Sequence, residues 1–169
     1  MRRLLLVLLL ASLASSAAAQ SDRAGEIELY VGQYTPAEGD GDLTLGVRGG
    51  GHFTERFAWQ LGVGHLDDGP AELWLLDASA VWRPTAGGRA TFVLAGGPGY
   101  ARARLETGSF EVEEDSLTAH VAIGSEIHFS TGGRVYLRPD ARLRWFEAGS
   151  GDVDWEGTVA LGFTFRKRG

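Results

Sequence analysis

Eight times along this chain, apolar and small or polar residues alternate with a period of two, and no segment past residue 20 holds the 3.6-residue spacing of an amphipathic helix. Successive strand side chains point to opposite faces, so each alternating run predicts a β-strand with one apolar face. In EIELYVGQY, Ile27, Leu29 and Val31 share one face, and Glu26, Glu28, Tyr30 and Gly32 the other. DLTLGVRGG sets Leu43, Leu45 and Val47 against Thr44, Gly46 and Arg48. FAWQLGVGH sets Phe57, Trp59, Leu61 and Val63 against Ala58, Gln60, Gly62 and Gly64. AELWLLDASAVWRP places Trp74 and Trp82 on one face with Leu76, Ala78 and Ala80, and Asp77 on the other with Leu75, Ser79 and Val81.

The fifth run, TFVLAGGPGYARAR, separates Phe92 and Leu94 from Thr91, Val93 and Ala95 before it meets Gly96-Gly97-Pro98-Gly99, where a bulge is expected and faces beyond Pro98 stay unassigned. In the sixth, His120, Ala122, Gly124, Glu126 and His128 oppose an apolar face from Leu117 to Phe129. In the seventh, Tyr136, Arg138, Asp140, Arg142 and Arg144 oppose Val135, Leu137, Ala141, Leu143 and Trp145. The eighth sets Val153, Trp155, Val159, Leu161, Phe163 and Phe165 against Asp154, Glu156, Thr158, Ala160, Gly162 and Thr164.

Connectors sort by charge. HFTER, RPTAGG and STGG are short turns, and Arg56, Arg83, Arg89, Arg134 and Arg166-Lys167-Arg168 gather on their side. YTPAEGDGD, HLDDGPAE, RLETGSFEVEEDS and EAGSGDVD are acidic, so Asp154 and Glu156 count with an acidic rim. An antiparallel meander with an even number of strands gives this two-ended sorting, and closing it into a barrel removes the unpaired edges.

The remaining question is which face meets which solvent. A soluble barrel would put the apolar face inside. The polar face, however, is rich in Gly, Ala, Ser and Thr, which suits a crowded concave side, while the apolar face is bulky and ends in aromatics. Tryptophan, with an apolar ring and one N–H, favours the boundary between hydrocarbon and headgroups. Eight residues separate Trp74 from Trp82, about 20 Å along the axis of a tilted strand, close to the height of an outer-membrane apolar band. The reading is an all-β, eight-stranded antiparallel up-and-down transmembrane β-barrel, with Trp59, Trp74, Trp82, Trp145, Trp155, Phe163 and Phe165 as interface aromatics.

Export fits. Residues 1–19 carry Arg2-Arg3, a short apolar core and Ala17-Ala18-Ala19, the pattern of a cleaved signal peptide, leaving residues 20–169 as one barrel domain. There is no cysteine, so neither disulfides nor a lipid-modified cysteine are expected, and a net charge of -6 without a basic stripe argues against nucleic acid.

"LGVRGGGHFTERFA", "VWRPTAGGRATFVLAGGPGYARAR" and "LRPDARLRWF", with the aromatic end at Phe163 and Phe165, resemble the small outer-membrane β-barrel family, the OmpA-like transmembrane domains of Gram-negative bacteria. The resemblance implies the outer membrane as location, membrane lipids, lipopolysaccharide and the barrel-assembly machinery as partners, a monomer with both termini periplasmic, and acidic loops outside. Members usually end on a terminal aromatic, whereas this chain continues through Arg166-Lys167-Arg168-Gly169.

Glu28, Arg48, Asp77, Glu126, Arg138, Asp140, Arg142 and Arg144 are the candidate lumen charge network, since an eight-stranded interior is just wide enough for side chains to fill. A structural or surface-interaction role follows, with a narrow porin-like channel for ions or small solutes as the first alternative and a lipid-modifying enzyme as the second. For catalysis the parity of His120, Ser125, Glu126 and His128 is wrong, because Ser125 lies on the lipid side and its would-be partners on the other. Gly96-Gly97-Pro98-Gly99 lacks the Lys-Ser/Thr of a phosphate loop, and Glu38-Gly39-Asp40-Gly41-Asp42 lacks the closing Glu of an EF-hand. No cofactor or metal is expected.

Overall fold

The computed structural model describes residues 23–37, 41–68, 71–85, 88–107, 110–129, 134–147 and 153–166; the predicted signal peptide and Glu38 to Asp40 lie outside them. Eight strands follow one another: β1 (Arg23–Thr35), β2 (Asp42–His52), β3 (Phe57–Asp68), β4 (Ala71–Trp82), β5 (Ala90–Thr107), β6 (Phe110–His128), β7 (Val135–Phe146) and β8 (Val153–Arg166). Each pairs antiparallel with its chain neighbours, and β8 pairs with β1 to close the barrel.

Register fixes the barrel's shape. From Gly25, hydrogen-bonded partners lead through Gly51, Trp59, Ala80, Gly96, Val121, Leu143 and Trp155 back to β1 at Thr35, ten residues further along. With strands about 4.8 Å apart, that stagger tilts them by about 40° and sets a backbone radius of about 8 Å. Such a cylinder has room for one layer of long side chains and no more.

Parity puts the apolar faces outside. Leu29 lies opposite Val47, Val47 opposite Val63 and Val63 opposite Leu76, and all but the half-buried Val63 are exposed in this continuous band. The same register gathers exposed aromatics at two levels. Trp74, Trp145 and Trp155 lie toward the long connectors, while Trp59, Trp82, Phe57 and Phe163 lie toward the short turns, about 20 Å below.

Three expectations need correction. Glycine and proline at 96–99 produce no bulge: β5 and β6 keep one register from Ala90 opposite Ile127 to Thr107 opposite Phe110. Pro98, which has no N–H, sits instead in a gap of the β4–β5 ladder that resumes unshifted, and its inward neighbours Ala95 and Ala101 preserve the parity. Second, the supposed acidic loop after β5 is mostly strand. β5 and β6 run 18 and 19 residues, longer than every other strand, and form a ribbon that β4 flanks as far as Leu105 opposite Ala71 while β7 leaves it at Thr118 opposite Phe146. Third, Arg83 and Glu156 leave the rims: both are buried inside.

Candidate functional site

Five arginines are buried in the barrel interior, namely Arg48, Arg83, Arg138, Arg142 and Arg144. An ionised group there stays charged only when paired, so each must find a carboxylate. Three tiers along the axis do this.

In the lowest tier, near the short turns, Arg83 donates from Nε to Glu126 (2.7 Å) and from Nη2 to both oxygens of Glu26 (2.9 and 2.7 Å). Glu26 also accepts from Gln60 at 2.9 Å and lies 2.9 Å from His52 Nε2. In the middle tier, Glu28 accepts from Tyr136 Oη (2.9 Å) and Arg138 Nη1 (3.2 Å). Arg48 donates to Asp140 (2.6 Å) and Thr158 (2.9 Å), and Arg138 Nε lies 3.3 Å from Asp140, which ties β1, β2, β7 and β8 together. In the upper tier, Arg144 grips Asp77 with two nitrogens, at 2.7 and 2.8 Å, and Arg142 donates to the same carboxylate. Such forked guanidinium–carboxylate pairs are the strongest that a protein makes.

The structure therefore brings together all eight expected lumen residues: Glu28 with Arg138, Arg48 with Asp140, Asp77 with Arg142 and Arg144, and Glu126 with Arg83. It adds Glu26, His52, Arg83 and Glu156. Parity could have found Arg83, which continues the inward series 77, 79, 81; placing the strand end at Trp82 hid it.

Two tyrosines complete the filling where glycines make space. Arg48 lies 4.2 Å above the Tyr30 ring, which occupies the room left by Gly46 and Gly64, and a Cβ at Gly162 would overlap Tyr136. On the opposite wall a patch of small or short apolar residues, among them Ala58, Val81, Val93, Ala95 and Ala122, lines part of the interior, so the long arginines have somewhere to reach.

One constellation resembles a catalytic set. Ser79 Oγ lies 2.9 Å from His120 Nε2, and His120 Nδ1 lies 3.4 Å from Asp77. That is the order of a nucleophile, base and acid. Asp77, however, is committed to two arginines, and Ser79 is 8% exposed inside a filled barrel, so the trio reads as packing. Ser125 stays on the outward-facing side, away from Glu126. Among the described residues no group of three or more His, Asp or Glu forms a metal site.

Above these tiers the interior turns apolar: Tyr34, Leu66, Leu75 and Ala101 form a buried cluster, joined by Leu73 and Phe146. A closed antiparallel barrel with an apolar exterior, aromatics at two levels and a paired charged interior defines a membrane-spanning β-barrel. The chain belongs to the outer membrane protein beta-barrel domain family, whose model matches residues 4–166. Membership implies a Gram-negative outer-membrane location. Among solved structures, the N-terminal β-barrel domain of Pseudomonas aeruginosa OprF is similar, with a TM-score of 0.73 at 15% identity over 86% of this chain and 100% of that one. Neisserial surface protein A follows at 0.67 and 12%, over 83% of this chain and 96% of that one. Pseudomonas aeruginosa OprG gives 0.66 and 12%, over 88% and 99%. These identities establish a shared fold. No curated protein matches the sequence.

Proposed function

We propose that this chain is a plugged outer-membrane barrel with a structural or surface-interaction role, without catalytic chemistry, inserted as a monomer after removal of its signal peptide. Its lipid-facing band and two aromatic levels sit among membrane lipids and lipopolysaccharide, and the assembly machinery delivers it there. The observation that carries this reading is the interlocked interior, in which one carboxylate, Asp77, holds two arginines and one arginine, Arg83, holds two carboxylates.

Planar-bilayer recording tests it: the purified barrel is expected to show no steady conductance, and Arg142→Ala to raise it by loosening the Asp77 knot. Discrete ion steps from the unaltered protein would replace this reading with the narrow-channel one. That second reading has one observation in its favour. Glu156 is 1% exposed, neither of its oxygens accepts a hydrogen bond from a described residue, and Arg142 Nε stands 3.9 Å away, so this corner is less tightly locked.

A further inference from the structure

Above the outer tryptophans the β5–β6 ribbon keeps the barrel's parity but reverses its chemistry. Its outward face carries Arg102 2.5 Å from Glu113 and Arg104 2.7 Å from Glu111. Its inward face carries Ala101, Ala103 and Leu105, with Val112 opposite Leu105 and Glu114 opposite Ala103. Leu105 and Val112 are 46% and 59% exposed, although they face the barrel axis. They wall a cavity of about 440 Å³ at the outer mouth, whose other apolar sides are Leu66, Leu73 and Phe146.

That volume lies within the range of small-molecule sites, which are mostly apolar with a few polar groups that choose the ligand. Here those groups are of one sign. Among the described lining residues Asp42 and Glu114 face the axis, Asp154 already accepts from Tyr34 Oη and the Ala37 amide, and the cation Arg104 turns outward to Glu111. Glu72 lies on the outward side of β4 with Trp74, where Trp74 Nε1 donates to it at 2.8 Å and His65 lies 3.0 Å away, so its carboxylate is partnered outside the cavity. An anion would meet repulsion from Asp42 and Glu114, and a neutral apolar body would leave those two carboxylates without a charge partner.

We infer that the outer mouth binds a small amphipathic cation, whose apolar body rests on Leu66, Leu73 and Phe146 under the ribbon and whose charge meets Asp42 and Glu114. The site is separate from the charged interior below and does not depend on the plug reading.

Two probes of nearly the same shape and opposite charge, tetraphenylphosphonium and tetraphenylborate, test it by equilibrium dialysis against the full barrel in zwitterionic nanodiscs, with empty nanodiscs subtracted. Saturable binding of about one tetraphenylphosphonium per barrel is expected, with tetraphenylborate at least about tenfold weaker. Val112→Arg, at an exposed ribbon position, should abolish binding while the barrel still shifts on heating in a gel. Asp42→Asn with Glu114→Gln should narrow the preference between the probes severalfold. Binding no greater than to empty nanodiscs, equal uptake of the two probes, or a Val112→Arg barrel that binds as before would each overturn the inference.

Discussion

The middle of the barrel and its outer mouth are built on the same strands with the same inward parity, yet their interiors have opposite chemistry. At mid-height the inward residues are Glu28, Arg48, Arg138 and Asp140; at the mouth they are Leu66, Leu73, Leu75 and Phe146. What differs is the surroundings. Where hydrocarbon lies outside, apolar side chains gain nothing by turning inward, so the exterior takes them and the interior is left to polar groups that must pair. Where water lies outside, the ordinary hydrophobic effect returns, and the ribbon presents arginine–glutamate pairs outward and leucine inward. The pleat fixes which residues share a face, and the solvent decides which face is apolar.

The contrast predicts different responses to mutation. The largest effect falls in the charged region: Arg83→Ala strands Glu26 and Glu126 in the interior and should destabilise by about 4 kcal/mol, read as a lower urea midpoint in bilayers. Adding Glu126→Gln to Arg83→Met should recover part of that loss, which a simple packing defect would not. Next comes the mouth, where Leu75, 1% exposed, behaves as a soluble-protein core residue. Leu75→Ala should cost about 3 kcal/mol through a cavity, and the outward Leu76→Ala clearly less, since lipid refills the space. Gly162→Val, which overlaps the Tyr136 ring, should cost about 2 kcal/mol by overpacking, partly relieved when Tyr136 is shortened to Ala. The smallest effect is on the ribbon: Arg102→Ala should leave the urea midpoint almost unchanged, and any difference should vanish in about 1 M salt.

Parity was legible everywhere except beyond Pro98 in β5 and before Leu117 in β6. The faces of the other strands follow from alternation, and β5 shows that a period of two survives glycine and even proline as long as no residue is inserted. Strand ends were less legible. Arg83 beyond Trp82 and Glu156 beside an acidic connector looked like rim residues because charge at a strand end is ambiguous until the neighbour's length is known. The same ambiguity made Arg104 to Ser116 read as a connector, when residues 104–107 and 110–116 are paired strand with alternating charges on one face. Partners inside were not legible, since Arg138 meets Glu28 from 110 positions away and only the closed register brings them together. The outer cavity also escaped notice, because its walls come from strands that each look ordinary alone.

Closure itself has a consequence for how the chain reaches the membrane. The β1–β8 seam pairs residues from Gly25 with Phe165 to Thr35 with Trp155, and it carries Glu26 and Glu28 to the Arg83 and Arg138 side chains they neutralise. A sheet with that seam open would present bare guanidinium groups to hydrocarbon, at several kcal/mol each. Half-closed forms are therefore poor residents of a bilayer, and the charge lattice works as a proofreading device that favours the fully sealed cylinder over each of its precursors.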